Sequence, residues 1–258
     1  MATITSSKLF KIACVALICI SIGAFKNIQS KPITIFMIGD STMANKKNPE
    51  TNPEFGWGQV FANYFNANAT VENHAVNGRS SRSFISEGRW DSVYNSIKPS
   101  DYVFIQFGHN DQKIKDSTRY TNPYTQYRYN LERYVKDTRA KQGIPVLLSS
   151  IVRRKFNEYG VLEDTHGAYP LVTRMVAKDL NVPFIDLQWL TEKMEIAYGP
   201  EASANLHLHF KTGENPYYPD GKADDTHLSF KGATEVSKLV ISAIQQQIPE
   251  LAIYLKTN

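Results

Sequence analysis

Cysteine is almost absent from this chain of 258 residues, and both copies, Cys14 and Cys19, lie in the first thirty. Everything after residue 30 therefore has no disulfide to staple it and must be held by its core. Neither cysteine follows a Leu-Ala-Gly-like lipid-attachment signal. A long hydrophobic run is also missing. The longest, Ile12–Phe25, has fourteen residues broken by Ser21 and Gly23, too few to span a bilayer comfortably. Preceded by Lys8 and Lys11, it reads as an export signal over residues 1–30, with small residues at Gly23, Ala24 and Ser30 near the cut. An uncleaved anchor is the alternative. Excess charge is lacking too. The first thirty residues hold Lys8, Lys11 and Lys26 and no acid, so 29 basic residues fall to 26 against 25 acidic, a net of +1 in place of +4. That balance excludes nucleic acid and an anionic membrane surface as natural partners of the mature chain. No internal repeat, low-complexity tract or interdomain linker breaks residues 31–258, and about 228 residues suffice for one domain with a large core.

What is present is alternation. Apolar runs recur at Ile33–Ile38, Val71–Val76, Tyr102–Phe107, Pro145–Ile151 and Val182–Leu187. Helix-like segments separate them, at Trp57–Phe65, Arg89–Ser96, Thr125–Gln142 and Tyr169–Leu180, with a last one from Lys231 to Gln247. In that last segment Val236, Leu239, Val240 and Ile244 keep a 3.6-residue period. Such a pattern predicts an α/β/α sandwich of the flavodoxin-like kind, with about five parallel strands in the order 2-1-3-4-5.

Ligands of such sheets sit outside the carboxyl ends of the strands. Four stretches fall there or just before the last helix: Gly39-Asp-Ser41-Thr, Asn73-His-Ala-Val-Asn-Gly78-Arg-Ser, Phe107-Gly-His-Asn110-Asp-Gln and Asp224-Asp-Thr-His227-Leu-Ser. Acyl transfer needs a nucleophile, a base, an acid to orient the base, and donors for an oxyanion. Ser41 supplies a hydroxyl, His227 an imidazole, and Asp224 a carboxylate three residues before it. Gly78 permits close approach of a backbone N–H, and the Asn110 amide donates a second hydrogen bond. Asp40 reads as structural, accepting backbone N–H groups, while Asp224 and Asp225 are adjacent and either could be a solvated turn residue.

The four stretches resemble the four blocks of the SGNH, or GDSL-type, hydrolases. Gly39-Asp-Ser-Thr42 departs from Gly-Asp-Ser-Leu in its last residue, as in the branch of secreted carbohydrate esterases similar to rhamnogalacturonan acetylesterase. Gly56-Trp-Gly-Gln59, Val76-Asn-Gly-Arg-Ser-Ser-Arg-Ser83, Gly108-His-Asn-Asp-Gln112, Arg153-Arg-Lys-Phe156 and Asp164-Thr-His-Gly-Ala-Tyr169 point to the same branch. The resemblance implies Ser41 as nucleophile, His227 as base, Asp224 as its partner, and an oxyanion hole from the Ser41 N–H, Gly78 and Asn110. It implies a secreted serine esterase that removes acetyl groups from a plant polysaccharide such as rhamnogalacturonan, with no cofactor or metal. The expected partner is an acetylated poly- or oligosaccharide, and the enzyme is expected as a periplasmic or extracellular monomer. A xylan acetylesterase, lipid esterase or thioesterase is the nearest alternative, and a non-catalytic glycan-binding protein a second.

Other side chains have two readings. Trp57 and Tyr217, with Tyr218, are candidate sugar-stacking walls or loop packing. His166 is a candidate substrate contact or a packed loop residue. His74 reads as a core histidine and His109 as support behind Asn110. His207 and His209 share one side of an extended segment as a possible but unsupported metal pair.

Overall fold

A strand with apolar side chains on both faces must be covered on both. A computed structural model describes residues 31–257 and shows this for β1, Ile33–Gly39. The chain divides into two units, residues 1–31 and 32–258. The second is the fold considered below, and the expected export signal lies outside the described residues.

Along β1 the side chains alternate between two separate cores. Ile33, Ile35 and Met37 enter one, Phe36 and Ile38 the other. β1 pairs in parallel with β3 (Ala69–Asn73) on one side and with β4 (Tyr102–Gln106) on the other. β5 (Ile144–Leu148) and β6 (Phe184–Ile185) extend the sheet, giving the order β3-β1-β4-β5-β6. Numbered among the parallel strands alone, this is the expected 2-1-3-4-5.

Helices cover both faces. The first core is closed by α1 (Trp57–Phe61), which contributes Trp57 and Phe61, and by the last long helix. The second core receives Phe84 from α2 (Ser81–Ser86), Trp90 and Val93 from α3 (Arg89–Ser96), and Leu131, Tyr134 and Val135 from α4 (Arg128–Ala140). Val172 and Val176 come from α5 (Ala168–Asp179). α6 (Leu187–Ala202) breaks at Gly199-Pro200, and α7 (Phe230–Gln247) buries Val236, Val240 and Ile244. The α7 start is capped by the Ser229 hydroxyl, which accepts the Gly232 N–H at 3.2 Å.

A second, antiparallel sheet departs from the expected plan. β2 (Glu54–Phe55), β8 (Lys222–Ser229) and β7 (His207–Phe210) form it in that order. The stretch before the last helix is thus a strand, not a loop. Its sequence, Lys-Ala-Asp-Asp-Thr-His-Leu-Ser, lacks the two-residue apolar period that marks a strand. Several boundaries also shift. The expected strand Val71–Val76 ends at Asn73, and Pro145–Ile151 ends at Leu148, although the Ser149 N–H still donates to the Ile185 carbonyl at 3.3 Å. His74 correspondingly lies beyond the strand, partly exposed and bonded to Glu72 at 3.2 Å, and is not a core histidine.

Gly56-Trp-Gly-Gln59 owes its glycines to a close approach. A Cβ on Gly56 would overlap the carbonyl oxygen of Ala44, and one on Gly58 would press on that of Met43. α1 therefore lies directly on the backbone that follows Ser41. Gly56→Ala should lower the free energy of unfolding by about 2 kcal/mol or more, since the neighbour to be displaced is backbone. Urea unfolding of both proteins measures this, and an unchanged midpoint would show that the contact is not tight.

Candidate active site

β1 ends in a turn built on a buried carboxylate. The Asp40 carbonyl accepts the Met43 and Ala44 N–H groups at 3.2 and 3.0 Å. Its Oδ1 accepts the Thr42 N–H and the Thr42 hydroxyl, both at 2.9 Å, and its Oδ2 lies 3.2 Å from His109 Nδ1. A carboxylate can only accept, so Nδ1 carries the proton. Burial holds the His109 imidazole below its ordinary pKa despite Asp40, and a neutral ring donates. The turn presents Ser41, largely covered, at the carboxyl end of β1.

His227 reaches Ser41 through a break in strand register. Leu208 pairs with Asp224 and His207 with Leu228, so one step along β7 matches four along β8. Asp225, Thr226 and His227 form the resulting bulge. Asp224 Oδ1 accepts the Thr226 and His227 N–H groups at 2.9 and 3.0 Å, which folds the bulge around the carboxylate. Asp224 Oδ2 lies 2.9 Å from His227 Nδ1, and His227 Nε2 lies 2.9 Å from Ser41 Oγ. Nδ1 again carries the proton, which leaves Nε2 free to accept the Ser41 hydroxyl proton. Burial pushes the Asp224 carboxyl up, but the ring and backbone donors of His227 and Thr226 outweigh it and hold the group well below the usual carboxylate range.

Asp225 points elsewhere. Its Oδ1 lies 2.8 Å from both Arg154 Nη1 and His209 Nε2, and its carbonyl accepts the Arg154 N–H at 2.8 Å. It ties the bulge to the segment after β5. His207 meets Glu195 at 2.9 Å instead, so the two imidazoles expected as a pair serve different carboxylates.

The loops after β3 and β4 close on Ser41. Gly78 has φ of +77°, a left-handed conformation that favours glycine. Asn110, buried after β4, donates Nδ2 to the Arg79 carbonyl at 3.1 Å, which joins the two loops beside Gly78 and leaves its second N–H available. A residue that sequence reasoning missed, Lys46, binds these parts together. Its ammonium, only 2% exposed at the side chain, donates to the Ser41 carbonyl at 2.6 Å and to Asn77 Oδ1 at 2.8 Å, and pairs with Glu54 at 2.7 Å. Nothing in Lys46-Lys47 distinguishes this buried lysine from a solvated pair.

Two of the candidate substrate contacts are not exposed to a ligand, and their packing reading holds. Trp57 is 0% exposed and donates its indole N–H to Gln106 Oε1 at 2.7 Å, deep in the first core. His166 is 2% exposed and packs edge-on against His109, ring centroids 4.5 Å apart. Burial pushes its pKa well below the ordinary value, so it is a neutral packed ring. The Asp164-Thr-His-Gly segment is a turn in which Asp164 accepts the His166 and Gly167 N–H groups at 2.9 and 3.0 Å, just before α5. Tyr217 is 45% exposed and lines a cleft of about 460 Å³ with Asn45, Lys46, Asn52, Glu54 and Asn77. Ala44, Ala75 and Val76 line it too, so the wall is mixed, with amide and charged groups that can hydrogen-bond a sugar beside apolar surface.

Residues 37–234 match the GDSL-like Lipase/Acylhydrolase family. The chain is similar to rhamnogalacturonan acetylesterase RhgT of Bacillus subtilis (strain 168), 44% identical over 90% of this chain and 96% of that protein. Among solved structures it is similar to Bacillus subtilis YxiM, with a TM-score of 0.70 and 24% identity, covering 84% of this chain and 57% of that longer one. Axe2, an acetylxylan esterase from Geobacillus stearothermophilus, has a TM-score of 0.59 and 18% identity, covering 83% and 95%. At these identities the solved structures establish the fold alone.

Asp111, next to Asn110, is fully buried and accepts the Ser81 hydroxyl at 2.5 Å, the Ser81 N–H at 3.0 Å and the Thr121 hydroxyl at 2.9 Å. Burial nevertheless pushes its carboxyl up to about 6. The native state then holds the proton more tightly than the unfolded chain, where the value is about 3.9. This group's contribution to stability is full below about pH 4, falls as pH rises through about 6, and is constant above. Asp111→Asn cannot titrate. The stability of wild type relative to that variant should therefore drop by about 3 kcal/mol between those limits, at 1.36 kcal/mol per unit. Urea unfolding of both proteins across the window tests this, and a flat difference would contradict it.

Proposed function

This chain belongs to the GDSL-like lipase/acylhydrolase family, and from that premise we propose that it is a serine esterase hydrolysing O-acetyl esters on the plant cell-wall polysaccharide rhamnogalacturonan. The observation that carries the chemistry is the unbroken hydrogen-bond path Asp224–His227–Ser41. The substrate rests on the 44% identity to RhgT along nearly the whole of both chains, and the cleft at Tyr217 holds amide and charged groups able to hydrogen-bond a sugar.

The steps follow from the geometry. Ser41 Oγ attacks the acetyl carbonyl carbon while its proton passes to His227 Nε2. The Asp224 carboxylate stabilises the imidazolium and fixes its tautomer. Negative charge develops on the carbonyl oxygen, and the Ser41 N–H, the Gly78 N–H and the Asn110 amide are the donors assigned to it. Collapse expels the sugar hydroxyl, which takes the proton from Nε2. Water then attacks the acetyl-enzyme through the same base, releasing acetate. These groups suffice for each step without a cofactor. The reading extends to export, with residues 1–30 as signal peptide, and to a hydrolase domain over residues 31–258 acting as a monomer in the periplasm or outside the cell.

Ser41→Ala should lower acetate release from acetylated rhamnogalacturonan by several orders of magnitude without altering the circular dichroism spectrum. Near-wild-type turnover in the purified variant would refute the serine mechanism. Asn110→Ala should reduce kcat by roughly a hundredfold with little change in KM, because an oxyanion donor acts on charge that appears in the transition state. A change confined to KM would make Asn110 a substrate-binding residue. In the same assay, release from acetylated xylan alone would identify a different polysaccharide as substrate.

A further inference from the structure

Three cations stand around the candidate oxyanion hole, and two of them have no carboxylate within ion-pair distance among the described residues. Lys113 closes the turn that begins at Asn110, its N–H donating to the Asn110 carbonyl at 3.2 Å. Arg153 leaves the carboxyl end of the β5 segment, half-buried, and its side chain's only hydrogen bonds among the described residues run from Nη1 to the Thr165 carbonyl and hydroxyl at 3.4 and 3.1 Å. The Nε and Nη2 donors of its fork are left unused, the geometry that binds a carboxylate through two parallel hydrogen bonds. Arg119 lies over Gly78, its guanidinium 3.6 Å from where a Cβ on that glycine would sit, and is shared with Asp116 at 3.2 Å.

Keeping such groups together is costly without an anion. Arg119 and Arg153 are near enough to Lys113 to disfavour its charge, on top of its partial burial, and burial also opposes the charge on Arg153. Asp40 attracts both, but its oxygens are already occupied by Thr42 and His109. Asp164, the other acid that Arg153 senses, is engaged by the His166 and Gly167 N–H groups. A half-buried guanidinium that lacks a carboxylate and keeps free donors is suited to a ligand that brings one.

We propose that Arg153, Lys113 and Arg119 form an anion subsite that binds the carboxylate of a uronate sugar at or next to the acetylated position. The proposal rests on the reading of the site as a polysaccharide acetylesterase and names the chemical feature it selects. A uronate is held by ion pairing and a bidentate hydrogen bond to Arg153, and a neutral sugar leaves those donors unmatched.

The test compares acetate release from an acetylated oligogalacturonide with release from the same oligosaccharide after methyl esterification of its carboxylates. Wild type should favour the free acid in kcat/KM by roughly tenfold or more, the worth of a charge-assisted hydrogen bond. Raising the salt from low to about 0.5 M should narrow the gap by screening. Arg153→Met and Lys113→Met should each shrink the ratio, chiefly through KM, and Arg153→Lys should keep part of it by retaining charge without the fork. Lys113 is exposed, so its variant reports even where Arg153→Met fails to fold. Equal kcat/KM on both forms in wild type, or an unchanged ratio in Lys113→Met, overturns the subsite while acetate release on both forms leaves the esterase reading standing. Release from neutral acetylated xylan alone, with none from either oligogalacturonide, overturns the subsite and the pectic reading together.

Discussion

A carboxylate sealed from water must be met by donors on its open sides, and Asp40 meets that requirement by fixing the geometry around it. Thr42 folds back to supply two donors and His109 supplies a third from the loop after β4. Meeting the demand of one buried charge therefore orders the turn that carries Ser41 and draws in the segment that carries Asn110. The same chain residue that ends the central strand thus determines where its neighbours can stand. Neither partner has much freedom, since Thr42 is fully buried and His109 is held edge-on against His166. Asp40 acts through placement, because its oxygens are occupied by Thr42 and His109.

His227 arrives by a different route. The parallel sheet offers no strand from which His227 could face Ser41, and the small antiparallel sheet supplies one. Its register break lets three residues bulge where the partner strand spends one step, and Asp224 folds the bulge by accepting two backbone N–H groups as well as the ring. Arg154 and His209 grip the adjacent Asp225 and tie the bulge to the end of the β5 segment. Adjacent acids so divide the work: one orients the imidazole, the other anchors the backbone that holds it. β2 completes the arrangement, since Glu54 on that strand pairs with Lys46 beneath Ser41. The two sheets are joined at the residues that would react.

This division explains what was legible in the sequence. β1 could be read because a central strand buried on both faces is a continuous apolar run, and Ser41 follows directly from where that run stops. Asp224 could be paired with His227 because three residues suffice to turn a carboxylate onto the ring, but the choice over adjacent Asp225 came from the family's Asp-x-x-His pattern. The strand that carries them was invisible, because a bulge destroys the two-residue period and its side chains serve the site instead of a core. Trp57 and His166 were left with two readings for another reason. An aromatic beside a reacting serine looks the same whether it stacks on a sugar or fills a core, and the choice is made by Gln106 and His109, distant in sequence. Lys46 carried no signal, as its partners Asn77 and Glu54 are supplied by the fold.

Charge shows most clearly how local arrangement outruns composition. Residues 31–258 are nearly neutral overall, which argues against a diffuse attraction to polyanions. Neutrality of the whole says little about one rim, because most ion pairs on this surface are local. Arg128 with Glu132 and Asp179, Lys238 with Glu235, and Arg89 with Glu87 cancel where they stand. At the rim of the candidate site the cancellation fails, since Lys113 and Arg153 pair with no acid among the described residues. Their field is short-ranged at physiological salt, falling off over about 8 Å. A nearly neutral enzyme with a locally cationic rim would not adhere along the length of an acidic polymer. It would engage an anionic unit only once that unit lay against the oxyanion loops, so that charge acts on the choice of the ester and not on capture of the chain.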